Sequence, residues 1–124
     1  MKGPCTCVLL ALLAAHVTNA CAGEADVIAA TVRRGPANTL EFDVTVRSVD
    51  KGTGHYADAI EVLAPDGKLL ARRELLHPHE DEQPFTRDVY GVRTPPGIER
   101  VIIRAHHNVK GYDGRTLTLD LPRP

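Results

Sequence analysis

The sequence predicts an all-β fold, an immunoglobulin-like antiparallel β-sandwich of about seven strands. Apolar and polar residues alternate over "TLEFDVTVRS" and "RTLTLDL", and turn-forming residues punctuate the chain about every 8–12 positions. No segment carries an apolar stripe at helical spacing over a useful length. The 124 residues, 43% hydrophobic and 25% charged with a net charge of −1, suit one ordinary globular domain and exclude a disordered or collagen-like chain.

The first 22 residues read as a secretory leader. Lys2 is followed by the apolar run "VLLALLAAHV" from Val8 to Val17 and then by the small-residue stretch "TNACAG". The run is shorter than the roughly 20 apolar residues a spanning helix needs, and no later segment approaches that length, so no membrane span is expected. Ala20-Cys21-Ala22 is an A-x-A site whose cleavage leaves residues 23–124 as a periplasmic or secreted β-sandwich domain. The alternative is a lipid anchor at Cys21, for which Thr18 stands where bacterial lipoprotein signals usually place leucine. Cys5 and Cys7 leave with the leader, so no disulfide framework holds the domain and its stability rests on its core.

The strands follow in order. "DVIAATVRR" ends at the Gly35-Pro36 turn signal. "TLEFDVTVRS" turns Leu40, Phe42, Val44 and Val46 to one face. After the glycine-rich "DKGTG" come "HYADAIEVLA" and "GKLLARRELL", a hairpin closed by Pro65-Asp66-Gly67. A three-residue loop pairs Ala64 with Lys68 and carries His55 opposite His77; a two-residue loop pairs Val62 with Leu69 and sets His77 opposite Gly54. "FTRDVYGV" is the fifth strand, with Gly91 interrupting it, and "TPPGIE" is a turn because its prolines cannot sit in a central strand. "RVIIRAH" faces Val101, Ile103 and Ala105 inward, and "RTLTLDL" does the same with Leu117, Leu119 and Leu121. Tyr112, after Gly111, is expected to cap the core.

Antiparallel strands reverse the chain at each turn, and that bookkeeping places the histidines. Apart from His16 in the leader, all of them (His55, His77, His79, His106 and His107) fall at one end of the expected sandwich. Imidazoles on a rigid strand end suit a divalent transition metal, Zn, Cu or Ni, or Fe if carboxylates such as Glu80, Glu82 or Asp113 join. The domain lacks methionine, which excludes soft thioether Cu(I) sites. His77 and His79 lie two apart, on one side of an extended strand, with Pro78 stiffening the link. Each histidine also has an ordinary structural reading, as a strand-end side chain bonded to backbone, and "EDE" at 80–82 reads equally as a solvated turn.

Two stretches resemble the superoxide reductase (desulfoferrodoxin) domain. "HYADAIEV" from His55 is similar to that family's H-[HY]-x-x-x-I-x-[LV] strand, and "HNVKG", His107 to Gly111, stands where the family closes its last hairpin with C-N-x-H-G. The resemblance implies an immunoglobulin-like sandwich holding mononuclear iron at the site that includes His55. His107 replaces the family's cysteine ligand, Lys110 its last histidine, and Val49 a histidine six residues before His55.

The sequence otherwise points away from several classes. It has no H-E-x-x-H, G-x-S-x-G or phosphate-cradling loop, and Ser48 is the only serine, so the expectation leans away from an enzyme. Basic residues are scattered and Trp is absent, which excludes an ordinary nucleic-acid surface. Three functions remain: metal delivery, storage or sensing through the histidine end; a superoxide-reductase-like oxidoreductase at the same place; or a carrier or adaptor docking a periplasmic protein partner through the same loops.

Overall fold

The computed structural model describes residues 22–123 and, for residues 15–17, the backbone. The leader's remaining residues, including Cys21 and its lipidation, lie outside the described residues. Seven strands form the domain: β2 Ala25–Arg34, β3 Leu40–Ser48, β4 Ala57–Leu63, β5 Leu69–Glu74, β6 Phe85–Val92, β7 Arg100–His107 and β8 Leu117–Asp120. A short strand, β1 Ala15–Val17, lies along the outer edge of β8. One sheet has the order β2-β3-β6 and the other β8-β7-β4-β5, with all pairings antiparallel. This is the expected all-β sandwich.

The alternating residues close the core between the sheets. Leu40, Phe42, Val44 and Val46 of β3 are buried against Ile60 and Val62 of β4, Val101, Ile103 and Ala105 of β7, and Leu117 and Leu119 of β8. Full burial of such side chains contributes about 1.5–3 kcal/mol each, and with no cysteine among the described residues this term holds their fold. Tyr112 is not in that core. It is 43% exposed and lies on the outer face of the four-stranded sheet, under the Arg104 guanidinium at 3.7 Å.

The β4–β5 hairpin starts in the register of the three-residue loop and then departs from both expected registers. Ala64 N–H donates to Lys68 O at 2.8 Å, as a three-residue Pro65-Asp66-Gly67 loop requires. A β-bulge then shifts the pairing from Leu63 with Leu69 to Val62 with Ala71 and Ala59 with Glu74. The extra residue, together with the end of β5 at Glu74, keeps His77 from coming opposite His55. Gly91 marks a second bulge, where Leu40 pairs with Val92 but Phe42 pairs with Val89; its φ of 68° is one that glycine adopts freely.

On the outer face of the β8-β7-β4-β5 sheet, Glu61 is buried among cations. Arg104 Nε donates to Glu61 Oε1 at 2.8 Å, Tyr112 OH to Oε2 at 2.9 Å, and Arg72 also pairs with Oε2. Burial alone would raise the Glu61 carboxyl, but the bonds from Arg104, Tyr112 and Arg72 outweigh it and hold it below the usual carboxylate range. This network crosses three adjacent strands and the β7–β8 loop.

That loop sits very close to the start of β2. A Cβ added at Gly114 would collide with the Ala25 carbonyl, whereas one at Gly54 meets nothing within 4 Å. Gly114→Ala is therefore expected to cost about 1–3 kcal/mol through overpacking, and Gly54→Ala under about 1 kcal/mol. Urea denaturation of both variants checks this; equal midpoints would contradict the close approach.

Candidate functional site

The five histidines do share one end of the sandwich. They sit on the β3–β4 loop, the β5–β6 loop and the end of β7, where the chain also enters β2. The structure divides them among three separate environments.

His55, on the β3–β4 loop, meets His107, the last residue of β7, with ring centroids 4.3 Å apart and planes at 72°. Glu24, immediately before β2, completes the group: His55 Nε2 lies 2.8 Å from Glu24 Oε1. One ligand atom from each of Glu24, His55 and His107 lies within 4.8 Å of the others. Glu24 and His55 are partly exposed and reachable from solvent, with side-chain exposures of 29% and 22%, while His107 is fully buried.

His107 is committed to the backbone. Val109 N–H and Lys110 N–H donate to its Nδ1 at 3.1 and 3.2 Å, so the ring proton sits on Nε2 and donates to Val49 O at 3.0 Å. It becomes a metal ligand only by exchanging one of these partners. Glu24 and His55 therefore form the accessible part of the site, with His107 as the wall behind it. Glu24 had no signal in the sequence, because a single carboxylate ahead of the first strand becomes a ligand only through packing against a loop 31 residues later.

His77 and His79 form a second group, with ring centroids 4.7 Å apart. His77 is exposed, and its Nδ1 lies 3.2 Å from Pro78 O. His79 is buried and stacks on Phe85 at 4.0 Å with a 13° interplanar angle. Arg87 NH2 lies 2.9 Å from His79 Nε2, and a guanidinium only donates, so the ring proton is on Nδ1. Nδ1 has no hydrogen-bond partner among the described residues and lies 4.0 Å from Asp50 Oδ2. The arginine both occupies the available lone pair and repels a cation, which turns His79 toward a packing role. The acidic turn beside it lines an open hollow with His77 and Pro78, through Glu80, Asp81 and Glu82.

His106 alternates to the outer face of the sheet. Its Nδ1 lies 2.5 Å from Asp58 Oδ1, and its ring meets Tyr112 edge-on at 4.8 Å. Adjacent residues of a strand point to opposite faces, so His106 and His107 cannot substitute for one another at one site. Asp113 touches the start of β2 instead of a histidine: its Oδ1 accepts from Glu24 N at 3.0 Å.

No protein-family model matches the chain, and no solved structure matches it. A protein of Halomicrobium mukohataei named "Putative lipoprotein" is 37% identical over 97 residues, 78% of this chain. The match is 47% of that protein, so the chain spans about half the length of this relative. No described helix is long and apolar enough to cross a membrane.

The His79 environment makes a pH prediction. Burial first, then Arg87 and His77, push its pKa below the ordinary value of 6.5. Between the two values the unfolded chain binds more protons than the folded one, so stability rises with pH across that window. The contribution is complete above about 6.5 and is lost as pH falls toward the folded value, with a slope of at most about 1.4 kcal/mol per pH unit. Denaturation at a series of pH values should show His79→Leu flattening this fall. An unchanged profile would show that His79 does not titrate with folding.

Proposed function

We propose that this is an exported β-sandwich that binds a divalent transition metal through Glu24 and His55, with His107 available as a third ligand. The role is delivery, storage or sensing of the ion. The observation that carries the reading is the convergence of Glu24, His55 and His107, whose ligand atoms lie within 4.8 Å of one another although they come from three distant segments. A carboxylate and imidazoles together suit Zn, Cu, Ni or Fe. Export is supported by the leader-like first 22 residues and by the name of the related Halomicrobium mukohataei protein. That name also supports an anchor at Cys21, which would hold this end of the domain near a membrane.

A second reading has its own observation. His55 and His107 stand at the two positions that resemble superoxide reductase ligands, and their ring centroids are 4.3 Å apart. Iron held there with an open position would give a superoxide-reducing site, with an imidazole in place of the family's thiolate.

Calorimetric titration of the purified protein with Zn(II), Cu(II), Ni(II) and Fe(II) separates these readings. At least one metal should bind with Kd below about 10 μM, roughly 7 kcal/mol of binding free energy. Glu24→Gln and His55→Ala should each weaken it about tenfold or more, near 1.4 kcal/mol, while His77→Ala leaves it unchanged. No binding, or equal sensitivity to His77→Ala, would overturn the site. An Fe(II) form that consumes superoxide would select the second reading.

A further inference from the structure

We propose that Asp26 is the receptor for the α-ammonium group that leader cleavage creates at Gly23. This rests on the export reading and is independent of any metal. Asp26, the second residue of β2, is 5% exposed. Its Oδ1 accepts from Gly23 N at 2.8 Å and from Arg115 N at 2.7 Å. Among the described residues it makes no ion pair. Glu61, equally buried, has Arg72 and Arg104 against it, and Asp50 accepts three hydrogen bonds. A buried carboxylate bonded to backbone N–H groups, with no cationic side chain paired to it among the described residues, holds a charge of the kind that is ordinarily paired.

The atom aimed at that carboxylate is the nitrogen that cleavage after Ala20-Cys21-Ala22 would release. Hydrolysis breaks the Ala22–Gly23 C–N bond. Water supplies the hydroxyl that completes the Ala22 carboxylate, and the Gly23 nitrogen takes up protons to become an ammonium. The amide N–H to Asp26 thereby becomes a charge-assisted hydrogen bond, roughly twice as strong as a neutral one.

The surroundings are shaped for this one residue. A Cβ on Gly23 would stand 2.5 Å from Asp113 O and 2.7 Å from Asp113 Oδ1, so only glycine fits. Residues 113–115 close over the segment: Asp113 Oδ1 accepts from Glu24 N at 3.0 Å, Arg115 O accepts from Val27 N at 3.0 Å, and Gly114 leaves no room for a side chain against Ala25. Asp113, Gly114 and Arg115 are the cradle of the mature amino terminus.

Intact mass of the exported product, from the full chain with its leader, tests the first part. A chain beginning at Gly23 is expected. No processing would sink the export reading itself, whereas processing at Cys21 with an acyl group would leave export standing and overturn this inference. Labelling of the Gly23 amine with an amine-reactive acylating reagent tests the second part, since an amine held on a buried carboxylate and packed against Asp113 is screened from the reagent. The folded product should react about tenfold more slowly than the same protein in denaturant. Asp26→Asn, which keeps the acceptor for Arg115 N, should restore most of that rate. If Asp26→Asn does not fold, the folded-to-denatured ratio decides alone; a ratio near one, or equal rates in folded wild type and Asp26→Asn, would overturn the receptor.

Discussion

The end of the sandwich that carries the histidines depends on one carboxylate, that of Asp50. It is fully buried, and each oxygen is used: Oδ1 accepts from Ser48 Oγ at 2.7 Å and Ala57 N at 3.1 Å, and Oδ2 accepts from His79 N at 2.7 Å. Those bonds join the end of β3, the start of β4 and the β5–β6 loop across the two sheets. Gln83 repeats the link, taking Ser48 N at 2.8 Å and donating to His79 O at 2.9 Å. Loops this close to the core need their polar groups satisfied from within the protein, and a buried anion with three donors meets that need. The places of His55 and His79 follow from it, because each is held within a few residues of an Asp50 bond.

Once the loops are set, identical side chains have different chemistry. His107 spends both ring nitrogens on backbone and becomes part of the wall. His79 gives its lone pair to Arg87 and its face to Phe85. His106 lies across the sheet from His107, against Asp58 and Tyr112. Among the described residues, only His55 combines solvent access with two neighbouring ligand groups, Glu24 and His107. A cluster of histidines at one end of a fold is therefore a statement about topology, and a metal site requires the further condition that lone pairs converge.

The same end also gathers the start of the domain. Glu24 belongs to the candidate metal group, Gly23 and Asp26 to the cradle under the β7–β8 loop, and the two sets are consecutive in the chain. The residue that follows Gly23 is thus the one that contacts His55. The proposed processing site and the proposed metal group share a single short segment.

The sandwich was legible in the sequence because alternation has a period of two and its inward residues are contiguous: Leu40 to Val46, Val101 to Ala105 and Leu117 to Leu119 all lie in the core. Strand direction also followed from the turns, which is why the histidines could be placed at one end. Their partners could not be read. The bulge in β5 shifts the hairpin by one residue, Tyr112 follows Arg104 to the outer face, and Glu24 reaches His55 only because the first strand begins beside the β3–β4 loop. Periodicity and turns are local and were determined by the sequence itself. Which lone pair faces a cation, a carbonyl or solvent depends on contacts tens of residues apart, and only the tertiary structure decides it.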